Sequence, residues 1–202
     1  MVVGGLPMTA HAEFSERVPL PVDAVASVHT FFDEYHVADS VQERLIETVE
    51  SGGTWESMSS ASIPVSTETE RTASAEKLVS RYSDGSVGVQ SREVPTDDGA
   101  ISGCSRSGTN YSNCTVDFWY GLVGMSFKAD YSLAPGKNRV TNQWGASWTI
   151  AGACSTNKNY FGRPNSSTAR LEVQAQMCAV PYTTTFFLEL SVSGNRANYN
   201  YG

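Results

Sequence analysis

Four long segments in the C-terminal half of this chain alternate apolar and polar residues, and that pattern restricts the fold more than any other feature. In residues 122–133, Met125, Phe127, Ala129, Tyr131 and Leu133 are apolar, and Ser126, Lys128, Asp130 and Ser132 lie between them. In residues 139–150 the apolar set is Val140, Trp144, Ala146, Trp148 and Ile150. Residues 169–177 repeat the pattern on odd positions, and Phe186, Leu188, Leu190 and Val192 carry it in 184–192. A period of two over this length means extended strands with one dry and one wet face. Strands are expected at 122–133, 139–151, 168–179 and 183–193. The short connections at 134–138 and 180–182 favour antiparallel pairing.

The N-terminal half reads differently. Val22, Val25, Val28, Phe32 and Tyr35 fall at helical spacing behind Pro21, which suits a first helical turn. The run breaks near Val37 and Ala38. Ser40 with Glu43 has the form of a capping box for a second helix, whose stripe is Val41, Leu45, Ile46 and Val49. Gly52-Gly53 ends it. Neither helix is long enough to be stable alone, so both are expected to dock on the sheet through Val25, Phe32, Leu45, Ile46 and Val49. Residues 54–76 have little periodicity and read as a linker or irregular arm. A hairpin is expected with strands at 77–82 and 86–93 about Asp84-Gly85, then a loop at 95–99, a tied loop at 104–114 and a short strand at 114–120.

The expected class is α+β, mainly antiparallel β. A meander of four long strands forms a sandwich or a strongly curved sheet, with an N-terminal pair of amphipathic helices. Residues 1–12 read as a signal-peptide remnant ending in Ala10-His11-Ala12, residues 13–76 as the helical segment and linker, and 77–202 as the β domain. No run of 18 apolar residues occurs, so no membrane-spanning helix is expected.

Four cysteines, Cys104, Cys114, Cys154 and Cys178, are spaced unlike zinc ligands. Three pairings exist. Cys104–Cys114 and Cys154–Cys178 are favoured because each closes a local loop beside a strand. Disulfides fit an exported chain.

The segments W-E-S at Trp55–Ser57, Y-S-D-G-S-V-x-V at Tyr82–Val89, G-C-x(9)-C ending at Cys114, and G-L-V-x-M-S-F-K-A-D-Y at Gly121–Tyr131 resemble a group of small secreted actinobacterial proteins of unassigned function. The likeness covers roughly residues 40–150. It implies secretion and the first disulfide, and it implies no activity.

Charge and motif content narrow the function. The net charge is −7, with 17 acidic and 6 basic residues in 1–100 against 4 and 8 in 101–202. With no basic cluster, nucleic acid is not an expected partner and a membrane is disfavoured. No nucleophile elbow, H-E-x-x-H or phosphate loop is present, so no catalytic residue and no cofactor are assigned. His29, Asp33 and His36 would share one helix face, the spacing of a metal site. Packing at the helix–sheet boundary explains them better, and no metal is assigned. Asp117, Asp130, Glu172 and Glu189 are the β-half carboxylates, and cross-strand ion pairs explain them better than an acid–base pair. Trp144 and Trp148 are expected in the core. Residues 156–167 read as a loop presenting Asn157, Asn159, Tyr160, Phe161 and Arg163, and 195–202 is similarly rich in Asn and Tyr. The reading is a secreted non-enzymatic module that binds an extracellular protein or glycan through that loop. The alternatives are a small secreted hydrolase and a pore-forming effector.

Overall fold

The computed structural model describes residues 17–95, 103–178 and 183–202. The expected signal remnant at 1–12, most of the expected loop at 95–99 and the expected connection at 180–182 lie outside them. Helices α1 (Val22–Glu34) and α2 (Asp39–Glu50) lead into eleven strands: β1 Ser66–Arg71, β2 Ala75–Arg81, β3 Val87–Glu93, β4 Ser105–Ser107, β5 Asn110–Trp119, β6 Val123–Ser132, β7 Arg139–Ile150, β8 Ala153–Asn165, β9 Thr168–Met177, β10 Thr183–Ser193 and β11 Arg196–Tyr201. All strand pairs are antiparallel. One sheet runs β1-β2-β3-β5-β6-β7 with β4 on β5, and the second runs β11-β10-β9-β8. The class is α+β, mainly antiparallel.

The sandwich follows from the alternation. Val116, Phe118, Phe127 and Ala129 of the first sheet and Leu171, Val173, Leu188 and Leu190 of the second are buried in one cluster. Each of these side chains larger than Ala129 contributes about 1.5–3 kcal/mol. Phe118 stacks on Tyr201, and the Tyr82 and Tyr201 hydroxyls meet at 2.7 Å, tying the sheets at one end. Phe127 meets Phe161 edge-on at the other. The helices join the same cluster through Val28, Phe32, Leu45, Ile46 and Val49, with Val25 packed at its margin. Trp55 donates from Nε1 to the Leu45 carbonyl at 2.7 Å, fastening α2 to the chain that follows.

The four expected long strands are present, but they do not form one meander. β6 and β7 belong to one sheet and β9 and β10 to the other, because 156–167 is not a loop. It lies almost wholly in β8, whose register with β9 is interrupted by three shifts. β8 is an edge strand, mostly exposed on both faces, so burial imposes no alternation on it. β1 is likewise an edge strand with all six residues exposed, where an irregular arm was expected. The tied loop at 104–114 is a small hairpin of β4 and the start of β5. Residues 196–201 form β11 on β10. The capping box is not formed. α2 starts at Asp39 behind Ala38, with no side-chain cap.

Trp144 also departs from expectation. The β6–β7 register shifts between Ser126 and Lys128, and Gly145 sits at φ 66° in the extra length of β7. This bulge puts Trp144 opposite Lys128, off the core face, while Trp148 stays opposite Met125. Trp148 is half-buried against the core, and its Nε1 donates to Thr156 Oγ1 at 3.0 Å.

Both favoured disulfides, Cys104–Cys114 and Cys154–Cys178, are formed. Among the described residues no helix is long and apolar enough to cross a membrane.

Candidate functional site

The outer face of the larger sheet carries a row of polar side chains fixed by register. Lys77 faces Ser91, Ser91 faces Asp117, Asp117 faces Ser126, and Ser126 faces Ser147. Directly paired residues point to the same side of a sheet. The row therefore crosses five strands opposite the sandwich core. The next row toward α1 is apolar: Val79, Val89 and Trp119, with Gly124 opposite Trp119.

α1 turns this face into a cleft. Phe31 meets Trp119 edge-on at 6.2 Å and Tyr35 at 5.0 Å. At the helix end Lys77 Nζ donates to Tyr35 Oη at 3.3 Å and to Glu34 Oε1 at 3.4 Å. The cleft has a volume of about 600 Å³, within the range of small-ligand sites. Asp117 and Trp119 also border a shallower depression of about 250 Å³ that continues over Ser126, Ser147 and Thr149.

Trp119 is placed by a missing side chain. A Cβ on Gly124 would lie 2.0 Å from Trp119 Cε3, so the indole lies directly over the bare backbone of the neighbouring strand. Asp117 is placed by register between Ser91 and Ser126. Burial pushes its carboxyl up to about 6. Lys77 pulls it down, Glu93 adds to the rise, and a backbone bond from Ser91 opposes it. Burial also raises Tyr35, against the opposing effect of Lys77. Burial acts to lower Lys77, but its contacts with Tyr35 and Glu34 outweigh that and leave it above its ordinary value. Lys77 stays a cation, while Asp117 changes protonation near pH 6. The arrangement offers aromatic walls, hydroxyls, one cation paired with Glu34, and a second carboxyl, Asp117, able to donate or accept.

The residues expected to bind ligand are dispersed along β8. Phe161 packs on Phe127. Arg163 Nη1 donates to the carbonyls of Val140 and Thr141, each at 2.9 Å, and so fastens β8 to β7. Asn159 Nδ2 donates to Glu172 Oε2 at 3.3 Å. Asn157 is exposed opposite Gln174, and Tyr160 is 37% exposed. These side chains do not converge on a cavity, and two of the five hold the sandwich together.

The His29–Asp33–His36 cluster is explained by Gln42, which is buried between the helices. His29 Nδ1 donates to Gln42 Oε1 at 2.6 Å, and Gln42 Nε2 donates to Asp33 Oδ1 and to the Val37 carbonyl, both at 2.8 Å. α1 has ended before His36, which stands at φ 56°. Among the described residues no three His, Cys, Asp or Glu side chains are grouped to hold a metal ion.

Of the cleft residues, Asp117 stood out in the sequence only as a carboxylate, and Lys77 only as part of a hairpin. The alternation of C-T-V-D-F-W-Y did place Asp117 and Trp119 on one face. Which strands lie beside them is set by long-range pairing.

No family model matches the chain, and a search of curated proteins gives no match. Among solved structures it is similar to the crystal structure of a hypothetical protein, lmo2686, from Listeria monocytogenes. The TM-score is 0.40 and the identity 16%, covering 63% of this chain and 94% of that one.

Proposed function

We propose that the protein is an extracellular, non-enzymatic module that binds a glycan in the cleft between α1 and the outer sheet face. The observation carrying this reading is the convergence of Trp119, Phe31 and Tyr35 with Asp117, Lys77 and Ser91 around one open cavity. Sugar rings present apolar faces edged with hydroxyls. Aromatic surfaces take the faces, and carboxylates, ammonium groups and hydroxyls take the edges. Two disulfides favour an oxidising compartment, and the resemblance to secreted actinobacterial proteins fits export.

The test is an array of extracellular and cell-wall glycans probed with the full chain. At least one glycan class should be retained, and Trp119→Ala should weaken its binding about tenfold or more while the protein stays folded. No retention of any glycan, or equal retention by the variant, overturns the reading.

A second reading, a small hydrolase, is favoured by one observation. Asp117, at about 6, is poised to exchange a proton near neutral pH. Incubation with the retained glycan separates the two, since a binder returns it intact and a hydrolase returns fragments. The pore-forming alternative predicts dye release from liposomes, which the binding reading does not.

A further inference from the structure

The alternation that sends Lys77 and Ser91 outward sends Glu76 and Arg92 to the inner side of the same sheet. There, beyond the end of the packed core, β2, β3, β5 and β6 and the β10–β11 turn enclose a separate cavity of about 700 Å³. Its chemistry differs from that of the cleft. Arg71 and Arg92 both pair with the single carboxylate of Glu76. The other acid at its wall, Glu93, accepts the Thr115 backbone N–H at 2.9 Å. Arg196 lines the cavity with no carboxylate partner among the described residues, and its side chain is exposed. The wall is flat. Tyr111 and Tyr131 stack with ring centroids 4.8 Å apart and planes 6° from parallel. Behind Tyr111 stands Arg106, its guanidinium 5.8 Å from the ring centre. This region therefore holds more guanidinium than carboxylate in a chain whose net charge is −7.

We propose that this cavity is a second ligand site, specific for an acidic sugar residue, one carrying a carboxylate or sulfate on a pyranose ring. The unpaired Arg196 takes the anionic group, with Arg71 turning from Glu76 to form the second contact. Guanidinium forks bind planar oxyanions with geometric selectivity. The rims of Tyr111 and Tyr131, whose faces are taken up by each other and by Arg106, meet the edge of the sugar, and the amides of Asn195 and Asn198 at the same wall supply hydroxyl partners. The site is on the opposite side of the sheet from Trp119 and Asp117, so it stands whether or not the cleft takes a glycan.

The experiment is a titration of the full chain with glucuronate, glucose and inorganic sulfate, followed by the ring signals of Tyr111 and Tyr131. Glucuronate is expected to shift both signals saturably, glucose is not, and sulfate is expected to bind about tenfold more weakly. Arg196→Ala, at the exposed start of β11, should weaken glucuronate binding about tenfold or more with the melting temperature unchanged. Arg71→Ala should weaken it by a smaller factor. Trp119→Ala should leave it unaltered. The assignment is overturned if glucuronate leaves the two tyrosines unmoved, if Arg196→Ala binds as well as the parent, or if sulfate binds as tightly as glucuronate.

Discussion

Replacing Asp117 by Asn should stabilise this protein, and the gain should depend on pH. The carboxyl has an ordinary value of 3.8 and is pushed up to about 6 in the folded chain, chiefly by burial. A raised folded-state value means that the native state holds the proton more tightly than the unfolded chain does. The favourable contribution is fully present below 3.8 and is lost as the pH rises through about 6. At about 1.36 kcal/mol per pH unit, the interval corresponds to about 3 kcal/mol, or nearer 2 because the site is partly wet. Asn keeps the shape and an acceptor for the Ser91 backbone N–H, and it carries no charge to desolvate. Urea unfolding of parent and Asp117→Asn at a series of pH values should give equal stability near pH 3.5. The variant should then gain progressively, reaching about 2–3 kcal/mol at pH 7 and staying level above it. A variant less stable than the parent at pH 7, or a difference that does not change with pH, refutes the reasoning. Retaining a carboxylate at this cost is understandable where it serves a ligand.

Three further outcomes follow from the packing. Gly124→Ala forces a methyl group into the Trp119 indole and should cost about 1–3 kcal/mol in chemical unfolding, with a changed Trp fluorescence spectrum. Gln42→Leu removes the partner of His29, Asp33 and the Val37 carbonyl and should cost about 1–2 kcal/mol, read as a lower melting temperature. Replacing Cys154 and Cys178 together by Ala opens a loop with a sequence separation of 24 and should cost about 3.5 kcal/mol on chain-entropy grounds, against about 2.7 for Cys104 and Cys114.

The strands that bury one face were legible in the sequence, because burial writes a period of two. β6, β7, β9 and β10 fall within a few residues of the expected spans, and the hairpin of β2 and β3 turns at Asp84-Gly85 as its residues require. β1 and β8 escaped because an edge strand exposed on both faces carries no such period. S-T-E-T-E-R has the β propensity of threonine and nothing apolar to alternate. In β8, Gly162 and Pro164 read as a loop, yet an edge strand accommodates a proline that a central strand would not. Trp144 was misplaced because the bulge at Gly145 puts it on the other side from Ala146 and Trp148, before a second register shift returns Val140 to the core. The candidate site was half legible. Asp117 and Trp119 share a face within one strand, but Lys77, Ser91, Ser126 and Ser147 come beside them only through pairings across the sheet, which a local pattern does not encode.

The claim that the outer cleft binds a glycan is tested most directly by titrating isotopically labelled protein with whichever glycan the array retains and following amide and indole signals. Shifts should concentrate on the Trp119 indole and on Lys77, Ser91 and Asp117, and in Trp119→Ala the remaining shifts should need about tenfold more glycan or beyond. Shifts confined to Asn157, Asn159 and Tyr160 on β8, with the Trp119 indole unmoved, would contradict the account.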